Sequence, residues 1–121
     1  MDGWVTIRGT VPSKSNCYRI INRGGHASLG KTDALARYER AFFLQMGALR
    51  GAGIQGLFAL HVRVYYPSLS HDLDNSLKVI LDCLQAGGAI RNDNRCVRIV
   101  AEKFIDKADP RAELRLEDLG L

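Results

Sequence analysis

Residues 4–11 (WVTIRGTV) mix aromatic and β-branched types and run into Pro12, which predicts a first strand. From Asp33 the apolar period lengthens: Leu35, Tyr38, Phe42, Met46 and Leu49 recur at spacings of three and four, one face of an amphipathic helix. Thr32 or Asp33 can cap its start, and Gly51 or Gly53 can end it. Residues 57–66 alternate, with Phe58, Leu60, Val62, Val64 and Tyr66 on one side and Ala59, His61, Arg63 and Tyr65 on the other; this is a strand, stopped by Pro67. Leu73, Leu77, Ile80, Leu81 and Leu84 form a second helical stripe that ends near Gly87 and Gly88. After the turn-rich link Arg91 to Asn94, residues 96–105 and 112–117 read as strands.

Between the first strand and the first helix, residues 12–32 are rich in Pro, Ser, Asn and Gly and are expected to form a long irregular segment. The resulting order is β-α-β-α-β-β. It predicts an α+β fold, a mixed sheet with two helices packed on it, in a single domain spanning residues 1–121.

A chain of 121 residues is long enough for one core without disulfide or metal staples, and its 46% hydrophobic content argues against disorder. No apolar run approaches the roughly 18 residues of a membrane span, and Met1 to Trp4 contain no basic region feeding a hydrophobic stretch. A cytoplasmic protein is expected. Cys17, Cys83 and Cys96 are odd in number and widely spaced, so reduced thiols that pack are expected rather than a zinc or redox pair.

The net charge of +4 is unevenly placed. Residues 1–50 hold eight Lys/Arg against three Asp/Glu, whereas residues 51–121 hold nine against ten. Lys14, Arg19, Arg23 and Lys31 fall in a stretch with no acid among them, a distribution that suits either solvated loop charge or a polyanion such as nucleic acid.

Against that basic half stands the acidic stretch HDLDNSLK, residues 71–78. Asp72 at a helix N-cap could accept backbone N–H bonds, Asp74 would favour the positive end of the helix dipole, and Asp74 with Lys78 could form an i,i+4 surface pair. The alternative is that Asp72, Asp74 and Asp93 converge on Mg²⁺, which prefers oxygen ligands and is commonly held by a few carboxylates plus substrate phosphate. Such an ion can activate water for phosphodiester hydrolysis. Lys78 would then orient the water or steady developing charge, with His71 and Asn75 near enough to touch phosphate.

Competing motifs fit less well. An EF-hand would need Gly where Leu77 stands and Glu where Cys83 stands. A lone D-x-D is a weak sign of a nucleotide-sugar site. Neither a Walker loop, nor a dinucleotide fingerprint, nor an H-x-x-x-H zinc pair is present.

The stretch HDLDNSLKVILDCLQAGGAIRNDNRCV resembles the core of the RusA-type Holliday junction resolvases (crossover junction endodeoxyribonucleases). There a D-L-D-N motif opens a helix, a lysine follows the second aspartate by four residues, and another aspartate follows the helix. VPSKSNCYR and NRGGHAS are similar to the family's Pro-Ser-Asn loop and basic segment. The resemblance implies a homodimeric, Mg²⁺-dependent endonuclease, with Mn²⁺ as an accepted substitute, that resolves four-way DNA junctions by paired symmetric nicks. It puts Asp72, Asp74 and Asp93 in the metal-binding places and Lys78 in that of the catalytic lysine. DNA contacts are expected from Lys14, Arg19, Arg23, His26, Lys31, His71 and Asn75. His71 and Asn92 depart from the family pattern, which has a basic run and a second acid there. The reading of another class is a non-catalytic DNA-binding module whose Asp72 and Asp74 only cap a helix; a third is a nucleotide-processing enzyme using the same carboxylates.

Overall fold

The computed structural model describes residues 3–13 and 18–120. Its main sheet has four strands in the order β1-β6-β4-β5: β1 (Val5–Arg8), β4 (Phe58–Tyr66), β5 (Cys96–Ile105) and β6 (Arg111–Asp118). β6 runs antiparallel to both β1 and β4, whereas β4 and β5 are parallel, so the sheet is mixed as expected. The parallel pair needs a crossover, and α2 (Leu73–Ala86) supplies it.

α1 (Asp33–Gln45) starts where the sequence predicts, with the Thr32 hydroxyl accepting the Leu35 N–H at 3.3 Å. It stops earlier than Leu49. Gly47 adopts φ +56°, a conformation an L side chain resists, and the chain tightens into a 3-10 turn over Gly47–Leu49. The apolar stripe is nonetheless spent as expected: Leu35, Tyr38, Phe42 and Met46 are buried and Leu49 packs beside them.

Phe58, Leu60, Val62, Val64 and Tyr66 of β4 face the helices and are fully buried, together with Ile7, Ala112 and Leu114 of the flanking strands. Against them lie the α1 stripe and Val79, Ile80, Cys83 and Leu84 of α2. The opposite face is tiled by stacked cations and rings. Arg63 lies 3.9 Å above Trp4, Arg111 lies 3.8 Å above Tyr65, and Tyr65 stacks on Phe104 at 4.8 Å.

The expectation of an irregular segment over residues 12–32 is overturned in part. β2 (Tyr18–Arg23) and β3 (His26–Lys31) form a separate antiparallel hairpin, closed by Gly24 and Gly25 at φ +57° and +84°. Positive φ at both turn positions is what a two-residue hairpin loop requires, and paired glycines meet it without a steric cost.

Cys83 is buried and Cys96 partly buried, in keeping with a packing role; Cys17 lies outside the described residues. Among the described residues, no helix is long and apolar enough to cross a membrane.

Candidate active site

The acidic stretch falls where β4 hands over to α2. Pro67 ends the strand, the turn 68–71 reverses the chain, and Asp72 takes the N-cap position in extended conformation at φ −95° and ψ 127°. Its carboxylate makes no capping hydrogen bond. The contact it does make is long, from the Asn75 side-chain amide at 3.4 Å. Asp74, exposed in the first turn, accepts the N–H of Asn75 at 3.0 Å. Simple capping therefore does not account for Asp72.

The Asp74–Lys78 pair that the i,i+4 spacing allows is replaced by another. Lys78 turns toward the other end of the helix, bonding Asp93 and lying 3.1 Å from Asp82. These two acids hold the Lys78 ammonium above its ordinary pKa, Asp93 contributing most. Lys78, Asp82, Gln85, Asn92 and Asp93 line an open groove of about 450 Å³. Asp93 opens a 3-10 turn, Asp93–Arg95, its N–H donating to the Gln85 side chain at 3.0 Å.

Beneath Asp72 lies a buried polar network. The Tyr66 hydroxyl bonds the Ser76 hydroxyl and reaches the backbone carbonyl of Asp72 at 3.4 Å. Burial pushes the Tyr66 phenol above its ordinary pKa; the Ser76 bond opposes that rise, and the charges of Asp72 and Asp74 add to it. Both carboxylates thus act on the same buried hydroxyl. From β5, Lys103 donates to the carbonyl of Leu69 at 2.9 Å and to that of His71, tying down the turn ahead of the acids.

The predicted residues thus separate into sets. Asp72, Asp74 and Asn75 share the first turn of α2, and Lys78 joins Asp93. Among the described residues, no group of three His, Cys, Asp or Glu side chains stands ready to hold a cation. The donors themselves are carboxylate oxygens, the type a hard divalent cation selects. His71 turns inward: its ring stacks on Tyr66 at 4.9 Å, and Nδ1 is buried with no hydrogen-bond partner among the described residues.

Of the basic residues, Arg19 and Arg23 stand on β2, and His26 opens β3 directly opposite Arg23. Lys31 ends β3 and pairs with Glu39 of α1 at 3.0 Å. Lys14 lies outside the described residues.

A sequence model described as endodeoxyribonuclease RusA matches residues 11–117. The chain belongs to the RusA family. RusA enzymes are crossover junction endodeoxyribonucleases, Holliday junction resolvases, and the match takes in the hairpin, both helices and every acid named above. No curated protein sequence matches the chain.

Tyr66, Ser76, Asp82 and Lys103 also stand around the acids, and the D-L-D-N motif does not point to them. Ser76 had a signal, since it lies between Leu73 and Ile80 at helical spacing on the apolar face of α2. Lys103 had none, because its role depends on the parallel pairing of β5 with β4.

Proposed function

We propose that this RusA-family chain is a Mg²⁺-dependent endonuclease that resolves four-way DNA junctions as a homodimer, nicking two opposed strands symmetrically. The observation that carries the proposal is Asp72: an N-cap carboxylate left out of capping, one residue from Asp74, in a chain whose charge is otherwise basic. In this reading Asp72 and Asp74 would hold the cation, joined by Asp93 once the ion draws it toward them. When bound, Mg²⁺ supplies Lewis acidity at the scissile phosphate and lowers the pKa of water. Mn²⁺ is expected to substitute.

The role of Lys78 follows from its surroundings. A lysine that acts as a general base needs its pKa lowered toward neutrality, whereas Asp93 and Asp82 raise that of Lys78. Lys78 therefore stays a cation at neutral pH and donates to phosphate oxygen as negative charge builds there. Asp93 keeps its ammonium positioned.

DNA is gathered by the basic N-terminal half: Lys14, Arg19, Arg23, His26 and Lys31, with Asn75 at the acids. His71, being turned inward, serves the turn rather than the phosphate.

The test is cleavage of a labelled four-way junction and a matched duplex, each with Mg²⁺, with Mn²⁺ and with a chelator. Paired nicks in the junction, lost with chelator and with Asp72→Asn or Asp74→Asn while junction binding persists, are the expected result. Binding without cutting under either metal overturns the proposal in favour of a non-catalytic module.

A further inference from the structure

β5 is ten residues long and lies at the margin of the main sheet, with β4 as its neighbour among the described strands. A row of N–H and C=O groups therefore faces outward along its free side. Proteins usually blunt such an edge with proline, bulges or charge, because it is a template for another strand. β5 carries no proline, the register shift against β4 is confined to its start, at Phe58/Ala59, and of its three charges Lys103 is turned to the 68–71 turn, leaving Arg98 and Glu102 of opposite sign. It exposes Val97, Ile99, Val100, Phe104 and Ile105, each by 38–55%, on both faces of the sheet.

We infer that this edge takes a second copy of the same chain, the two β5 strands pairing antiparallel about a twofold axis at Val100. The inference rests on the proposed function and names the surface through which its dimer forms. An axis perpendicular to the sheet keeps each face on its own side, so residues equally far before and after the axis residue stand opposite one another. With the axis at Val100, Arg98 of each copy faces Glu102 of the other, and Val100 meets its own copy. An axis at Arg98, Glu102 or Lys103 would instead set like charges face to face. Within the strand, Val100 is the position that sets opposite charges against each other.

The pairing also places the chemistry. β5 follows directly on Asp93–Arg95, and its Lys103 grips the turn that leads to Asp72. A shared β5 ladder sets the two candidate sites on either side of one axis, matching the twofold symmetry of a four-way junction.

The test is sedimentation across a concentration series for the wild type, Arg98→Glu, Glu102→Arg, the equimolar mixture of those two variants, and the chain carrying both changes. Each single change places two like-charged pairs in the dimer, so its dissociation constant should rise about 10-fold or more. The mixture and the double variant should each restore wild-type dimerisation, because opposite charges face one another again. Circular dichroism confirms that the variants fold. A monomeric wild type, single variants that dimerise as the wild type does, or a mixture no tighter than its components overturns the inference. A monomer that still cuts junctions fails this inference alone; a dimer restored by charge swapping that never cuts fails the proposed function alone.

Discussion

The hydroxyl pair under Asp72 supports a quantitative test by double-mutant cycle. Tyr66 is fully buried and Ser76 is 1% exposed, so neither hydroxyl can exchange its partner for bulk water. Ser76→Ala leaves the Tyr66 hydroxyl with its 3.4 Å contact to the Asp72 carbonyl. A buried hydroxyl stripped of its principal partner costs about 1–3 kcal/mol, and the deleted oxygen leaves too small a space for water. Tyr66→Phe should cost less, about 1 kcal/mol, because the serine hydroxyl can turn to a carbonyl one turn back on its own helix. The double variant removes donor and acceptor together and should be more stable than the two separate losses predict, with a coupling of about 1 kcal/mol.

Urea unfolding followed by far-ultraviolet circular dichroism measures all four corners of the cycle. At this chain length each kcal/mol should also move the thermal midpoint by roughly 4 °C. Junction cleavage by the same proteins adds a second readout: loosening the Asp72 carbonyl should lower kcat more than it raises KM. Additive losses would refute the reasoning, since they would mean that the two hydroxyls do not share a bond.

Lys78→Met should reduce junction cleavage about 100-fold or more while changing stability by under about 1 kcal/mol, since its ion pairs are half exposed and solvent-screened; a parallel fall in both would reassign the lysine to structure. Arg19→Ala, Arg23→Ala and Lys31→Ala should each weaken junction binding and flatten the slope of log affinity against log salt by about one unit for every phosphate left without its cation; unchanged slopes would remove the hairpin from the interface. Gly87→Ala should destabilise by about 1–3 kcal/mol in urea titrations, because the added carbon would overlap the thioether of the fully buried Met46. At high pH the sign follows from Tyr66: its folded pKa is raised, so its contribution is intact below pH 10.0, its ordinary value, and is lost as pH rises through the folded value. Tyr66→Phe should therefore lose less stability than the wild type in unfolding titrations carried above that pH.

The periods of the apolar residues were enough to locate both helices and the four strands of the main sheet, because each of those elements buries one face against a common core. Phe58, Leu60, Val62, Val64 and Tyr66 are the clearest case, alternating in the chain and all buried in the fold. The hairpin was hidden because composition and pattern disagreed. Its strands carry Asn, Ser and Gly among their apolar residues, and the Gly24–Gly25 turn reads as loop content unless a two-residue reversal is sought. The early end of α1 was hidden for a related reason: Met46 and Leu49 keep the helical spacing across a glycine that cannot keep the helix.

The acids were visible as a group, but which neighbour each would take was not. Spacing offers Lys78 two aspartates one turn away, Asp74 before it and Asp82 after it, and the acid-before-lysine order is the better of the two on an isolated helix. The tertiary fold reverses that preference. The turn after α2 brings Asp93 to the same ammonium, so two carboxylates on one side outweigh the one on the other. Asp72 and Asp74 are then left exposed at the positive end of the helix dipole, with Asn75 as their immediate partner and no lysine between them. Two carboxylates one residue apart at the surface, with the nearest lysine spent elsewhere, are what the proposed cation site requires.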